Sequence, residues 1–260
     1  MKILALIVAV FIVCVSIVPA QVTVVLDDYF NHEIKKDKSG KDVVFHYKWD
    51  DTANSGFSVW GKAFNDLGAK TEMLTAEPTS ANLRKASIYI IVDPDTPQES
   101  PDPKYINAED VKVLSDWVKK GGVLVLMGND VGNCELDHFN DLAKTFGVTF
   151  NKDSKYRVTN DNYAMGKIIV DVKNPILKTA HQLYLKEVST LTVSSPANTV
   201  LEADGNKLMA VAKYGKGTVF VVGDPWLYNE YTNGRLPSEF ENLKAAGDLS
   251  RWLIDQAKHK

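Results

Sequence analysis

Ile88-Tyr89-Ile90-Ile91-Val92-Asp93-Pro94-Asp95-Thr96 is a run of five apolar residues that stops abruptly at an Asp-Pro-Asp turn. A short apolar run without polar alternation reads as a strand covered on both faces, the habit of parallel sheets. Val22-Thr23-Val24-Val25-Leu26 and Val123-Leu124-Val125-Leu126-Met127 have the same form. Helical spacing lies between them. Phe57, Trp60, Phe64 and Leu67 recur on one face before the stop at Gly68. Asn107 caps a helix through Lys119 whose Val111, Leu114 and Val118 share a face, and Gly121-Gly122 ends it. Shorter elements are expected at 70–74 (strand), 79–85 (helix) and 135–146 (helix). Strand and helix in alternation require right-handed crossovers, so the predicted fold is α/β: three layers, a mostly parallel sheet flanked by helices.

The second half is richer in strands. They are expected at 167–170, 191–193, 199–203, 208–214 and 218–222, with turns at Asp204-Gly205 and Gly215-Lys216-Gly217. A final amphipathic helix is expected over 238–256. No Pro/Gly/Ser-rich linker divides the halves, so residues 21–260 read as a single domain. Residues 27–54 form a polar segment without a clear element, and loops that long usually carry function.

Met1-Lys2, the apolar run Ile3 to Val18, and Val18-Pro19-Ala20 before Gln21 read as a secretory signal over residues 1–20. The run is about 16 residues, short of the roughly 20 of a spanning helix. Val13 before Cys14 is a poor lipidation context. A periplasmic or secreted location is therefore expected, with no membrane attachment after cleavage. Without Lys2 the chain has 29 basic against 33 acidic residues, net −4 with His neutral. That balance argues against nucleic acid as a partner. Cys134 is the one cysteine beyond the signal, which excludes an internal disulfide and a thiolate zinc cluster.

In parallel sheets ligands sit beyond the carboxyl ends of the strands. Here those ends read Asp27-Asp28-Tyr29, Asp93-Pro94-Asp95, Gly128-Asn129-Asp130 and Asp224-Pro225-Trp226. Short acids and amides also punctuate ordinary loops, but their repetition at one end of the sheet points to a shared polar crevice. The 27–54 segment adds His46, Trp49 and Asn54, and the stretch after Trp226 adds Tyr228 and Asn229. Aromatic faces beside acids and amides suit a sugar: rings cover its C–H patches, and oxygens and amides meet its hydroxyls. The candidate substrate-binding set is thus Asp28, Tyr29, His46, Trp49, Asn54, Asp95, Asn129, Asp130, Trp226, Tyr228 and Asn229. Asp93 and Asp224 are the candidate catalytic carboxylates, since glycosidases use a carboxyl pair. His32 and His46 lack close ligand spacing, so no metal is expected, and without a nucleotide fingerprint no cofactor is either. Cys134 near a helix start, with His138 four residues on, has the spacing of a nucleophile and base but lacks the turn that exposes a nucleophile.

Longer motifs carry a resemblance. They are Asp28-Tyr29-Phe30-Asn31-His32-Glu33, the stretch from Phe45-His46-Tyr47-Lys48-Trp49-Asp50-Asp51 to Ser58, Tyr89-Ile90-Ile91-Val92-Asp93-Pro94-Asp95-Thr96, Leu126-Met127-Gly128-Asn129-Asp130 and Gly223-Asp224-Pro225-Trp226-Leu227-Tyr228-Asn229-Glu230-Tyr231. Together they resemble a domain of unknown function from bacterial pectin-degradation proteins, often fused behind unsaturated rhamnogalacturonyl hydrolases. The resemblance implies a fold similar to class I glutamine amidotransferases, within the wider flavodoxin-like class, and a setting in saccharide breakdown. The chain departs from the amidotransferase pattern twice. Gly128-Asn129-Asp130 stands where the nucleophile turn would carry Cys, and Asp224 stands where a His would follow the late strand. Thiol amidotransfer is therefore not expected.

Three functions follow as expectations. The first is a saccharide-recognition module for pectin-type, rhamnogalacturonan-derived oligosaccharides, with Lys48, Arg157 and Arg235 as candidate cations for acidic sugars. The second is a carboxylate-based glycoside hydrolase. The third is a scaffold that binds an envelope partner such as a glycoside hydrolase.

Overall fold

The computed structural model describes residues 21–258. The signal-peptide reading of 1–20 and the tail residue His259 lie outside them. The elements in chain order are strands β1 (Thr23–Asp27), β2 (Ile34–Lys36) and β3 (Asp42–Val44), helix α1 (Ser58–Asp66), strand β4 (Lys70–Leu74) and strand β5 (Ile88–Val92). Helix α2 (Ala108–Lys119), strand β6 (Val123–Met127), helix α3 (Leu136–Lys144) and strand β7 (Val148–Phe150) follow. The second half holds β8 (Lys167–Ile169), β9 (Gln182–Tyr184), β10 (Leu191–Val193), β11 (Ala197–Ala203), β12 (Asn206–Tyr214) and β13 (Gly217–Val222). Helices α4 (Asn229–Thr232) and α5 (Asn242–Lys258) close the described chain.

Seven strands form the central sheet in the order β11-β12-β13-β6-β5-β1-β4. β4, β1, β5, β6 and β13 run parallel, and β12 and β11 add antiparallel to β13. The mostly parallel α/β sheet with added antiparallel strands is as the apolar runs predict. Each run divides its side chains between two cores because successive residues point to opposite faces. Val24, Leu26, Ile88, Ile90 and Val92 pack with Trp60 and Phe64 of α1 and Leu249 and Leu253 of α5. Val25, Tyr89, Ile91, Leu124 and Leu126 pack with Leu114 and Val118 of α2 and Phe139 and Leu142 of α3. A strand covered on both faces has no solvated side to alternate, which is why its sequence is continuously apolar.

Asn107 caps α2 as its side chain suggests: Oδ1 accepts from Glu109 N at 2.8 Å and Asp110 N at 3.1 Å, and Asp110 Oδ2 accepts from Asn107 N at 2.9 Å. Asn107→Ala is expected to cost about 1 kcal/mol, read as a lower urea midpoint. An unchanged midpoint would show the cap idle.

The structure departs from expectation in four places. Residues 27–54 hold a hairpin, β2 paired antiparallel with β3, turned at Asp37–Lys41 around Gly40 at φ 83°. The 79–85 helix is a 3-10 turn over Asn82–Lys85, stapled by Thr79 and Asn82 side chains bonding each other's backbone N–H. The last helix starts at Asn242 rather than 238: Asn242 is fully buried, with its amide bonded to the Tyr184 and Trp226 carbonyls. Strands β7 and β9 pair with β10 and β8 and add to the strands expected from sequence.

Candidate functional site

The loops after β6, β9 and β13 and the loop before α1 meet at the carboxyl end of the sheet around a cavity of about 520 Å³. His46, Ala53, Asn54 and Ser55 form one wall. Asn129 and Asn133 come from the loop after β6, and Lys186 and Glu187 from the loop after β9. Asp224, Tyr228, Glu230 and Tyr231 complete the lining. Of the sequence-derived candidates, the structure brings His46, Asn54, Asn129, Asp224 and Tyr228 together here.

Asp93 lies behind Asn129 rather than in the lining. Its Oδ2 accepts from Tyr47 Oη at 2.6 Å and from Asn129 Nδ2 at 3.0 Å, while Oδ1 is buried with no partner among the described residues. Burial first, and then the Glu99 charge, push its carboxyl well above the usual carboxylate range. The Tyr47 hydroxyl lies 2.9 Å from that of Tyr228, so a hydrogen-bonded chain links buried Asp93 to the cavity. Asp224 is 2% exposed, and its Oδ2 accepts from Lys186 N at 2.8 Å. Burial raises its carboxyl to about 8, so it carries a proton near neutrality.

Backbone strain concentrates here. His46 (φ 64°) and Glu187 (φ 55°) line the cavity, and Tyr47 (φ 48°) and Asp93 (φ 46°) stand behind it. Left-handed non-glycine residues are costly and persist where surrounding structure over-determines them, which is most often at functional sites. Gly223, next to Asp224, permits a close approach: a Cβ there would meet the Ser189 carbonyl oxygen at 1.7 Å.

The other candidates lie elsewhere. Asp28, Tyr29 and Asp95 line a separate cavity. Trp226 is fully buried in the core with α5 and offers no ring face to a ligand as it stands. Trp49 is half-buried against Phe57, Trp60 and Phe64, and its indole donates to the Glu72 carbonyl at 3.0 Å. Asn229 is 2% exposed; its amide is spent on the Asp51 and Ala53 carbonyls and the Ser58 hydroxyl. Asp130 is buried and accepts from Asn133 Nδ2 at 2.6 Å.

Cys134 is buried, and burial followed by the nearby Asp93 charge holds its thiol well above its usual range. His138 stacks on Tyr105 at 4.8 Å instead of serving the thiol. Among the described residues no group of three or more His, Cys, Asp or Glu is placed to hold a metal ion. His46 is engaged by Glu33, and His32 Nδ1 lies 2.9 Å from Asp28 Oδ1.

Sequence reasoning passed over Lys186, Glu187, Asn133 and Ser55. Glu187 and Lys186 follow β9, and with that strand unrecognised nothing marked them as strand-end residues.

A family model described as "Domain of unknown function (DUF4350)" matches residues 50–236. No curated protein matches the chain. Among solved structures, the mmIFT52 N-terminal domain is similar at 20% identity and TM-score 0.67, over 89% of this chain and 97% of that one. A cytoplasmic protein from Salmonella typhimurium LT2 is similar at 14% identity and TM-score 0.58, over 90% and 98%. A cold-adapted β-galactosidase from Rahnella sp. R3 is similar at 14% identity and TM-score 0.57, over 93% of this chain but 32% of the enzyme. At these identities the likenesses show the fold alone.

Proposed function

The chain belongs to the DUF4350 family, a domain of unknown function, and from that premise we propose that it is a saccharide-recognition module whose ligand occupies the strand-end cavity. One observation carries the reading: amides, hydroxyls, carboxyls and two tyrosine rings converge on one space of about 520 Å³, large enough for one or two sugar units. Asn54, Asn129 and Asn133 offer both donors and acceptors to hydroxyls. Protonated Asp224 can donate as well as accept. Tyr228 and Tyr231 offer ring edges and faces to C–H surface. An exported setting beside pectin-type saccharide breakdown, as the motif resemblance implies, belongs to the proposal.

The lining favours the neutral over the acidic sugars of a rhamnogalacturonan. Its carboxyls are Asp224, Glu187 and Glu230, against Lys186, which already lies 3.2 Å from Glu187. Two cations expected to serve acidic sugars are engaged: Lys48 by Asp28, and Arg235 by Glu230 at 2.5 Å. Calorimetry should show saturable binding of neutral rhamnosyl or galactosyl oligosaccharides. Asn54→Ala and Glu187→Gln, both at the solvent side, should each weaken it about tenfold, or ~1.4 kcal/mol. The absence of heat with neutral and acidic fragments alike would remove the saccharide reading.

A carboxylate-based glycoside hydrolase is the second reading, favoured by the elevated Asp224 carboxyl in the cavity wall, the state a general acid needs. Its partner carboxylate would then be Glu187 or Glu230 rather than Asp93, which Asn129 covers. Release of reducing sugar that Asp224→Asn abolishes would establish this reading over simple binding.

A further inference from the structure

Tyr29, Ile34 and Pro101 line a second cavity, of about 290 Å³, which shares no lining residue with the first. The 27–54 segment contributes to both: Tyr29 and Ile34 here, His46 and Asn54 there. Asp95, 2% exposed, stands in the wall of the second cavity. One of its carboxyl oxygens accepts from His32 N at 2.9 Å, and the other is buried without a partner among the described residues. The other acids of this wall are already matched. Asp28 is engaged by Lys48 and by His32, and Asp102 by Lys104. Among the described residues, Asp95 is the acid of this wall without a cationic partner. Buried polar groups left unpaired are uncommon in folded proteins and call for an explanation.

We propose that this cavity is a second binding site, for a small organic cation: an ammonium group paired with the Asp95 carboxyl and an apolar body against Tyr29, Ile34 and Pro101. The local field has the matching sign. Burial chiefly, and then the Glu33 and Glu99 charges, raise the Asp95 carboxyl to about 7; it is those two neighbouring charges that favour a cation beside it. An anion of the same size would meet Asp28, Asp95 and Asp102 with Lys48 and Lys104 already committed. The site stands apart from the saccharide reading and needs none of its residues.

The test is a ¹⁵N NMR titration of the chain with butylamine, butanol and butyrate, three probes that share a body and differ in charge. Butylamine should give saturable shifts at Tyr29, Ile34, Thr75 and Ser100 and leave Lys186 and Glu187 unmoved. Butanol should bind about tenfold more weakly and butyrate should not bind. Asp95→Asn keeps an acceptor for His32 N and should weaken butylamine about tenfold or more. Asp102→Asn, on the same wall but already paired, should change it less than about twofold. Equal responses to butylamine and butyrate, or no saturable shift with butylamine, would overturn the proposal. So would an Asp95→Asn variant that folds and binds butylamine as before. The three-probe comparison on the unmodified chain decides the matter even if Asp95→Asn does not fold.

Discussion

Asn229→Ala is expected to destabilise the protein by roughly 4 kcal/mol and to disorder the cavity wall before α1. The side chain is 2% exposed and fully employed. Its Nδ2 donates to the Asp51 and Ala53 carbonyls at 2.8 Å each and to the Ser58 hydroxyl at 3.0 Å, and its Oδ1 accepts from Val59 N at 3.0 Å. Its backbone N–H also reaches the Gly56 carbonyl at 2.8 Å. One amide therefore fixes the whole 51–59 turn, which supplies Ala53, Asn54 and Ser55 to the cavity. Truncation leaves several backbone groups unpaired at once, each costing about 1–3 kcal/mol if water cannot reach it. Asn229→Asp should be nearly as damaging, because it turns a donor toward carbonyls into an acceptor. Asn233→Ala, an exposed position four residues on, should cost less than about 1 kcal/mol. Urea unfolding of the three variants tests this, and a loss below about 1 kcal/mol for Asn229→Ala would show that the turn holds without it.

The same residue shows how far the sequence was legible. Asn229 stood out because it follows an aromatic strand-end stretch, but its chemistry is indistinguishable from that of an amide facing ligand until its partners are seen. The partners lie about 170 to 178 residues away in sequence. Trp226 and Trp49 repeat the case: an aromatic in a polar stretch reads as a ring offered to sugar, and each instead packs into the core. The sheet was legible for the opposite reason. A five-residue apolar run has few homes other than a strand covered on both faces, and its registry with neighbours needs no long-range side-chain knowledge. Strand β9, Gln182-Leu183-Tyr184, carries no such run, and Lys186 and Glu187 disappeared with it. The strand-end acids fall between these cases. Asp27 and Asp28 are adjacent, yet Asp27 turns inward to accept from Tyr89 Oη at 2.5 Å while Asp28 faces the second cavity. Alternation places them on opposite sides, but only the three-dimensional packing says which side holds the cavity.

Those acids also set the protein's response to pH. Stability is expected to be greatest in mildly acidic solution and to fall as pH rises from about 4 toward 8. Asp27, Asp95 and Asp224 are raised to about 6, about 7 and about 8, in each case chiefly by burial, and Asp93 is raised well above its usual range. In the unfolded chain each returns to an ordinary aspartate value near 3.9. Between those values the folded state keeps a proton that the unfolded state has released. The unfolded state then binds fewer protons, so the slope of unfolding free energy against pH is negative. A fully buried group contributes up to about 1.4 kcal/mol per pH unit across its window. For Asp224 that integrates to something on the order of 5 kcal/mol between the two ends. The acids whose values are lowered, exposed Asp37, Asp116 and Asp137 and partly buried Glu241, act in the opposite direction only below the ordinary carboxylate range. Asp224→Asn retains an acceptor for Lys186 N and removes the titration. It should flatten the profile by about one proton's slope and leave the variant more stable than the unmodified protein near pH 8. Urea midpoints measured at intervals from pH 4 to pH 9 decide it. A profile that is level or rises over that range would mean that these carboxyls are charged in the folded protein. The hydrogen-bond donor that Asp224 brings to the cavity would then be gone.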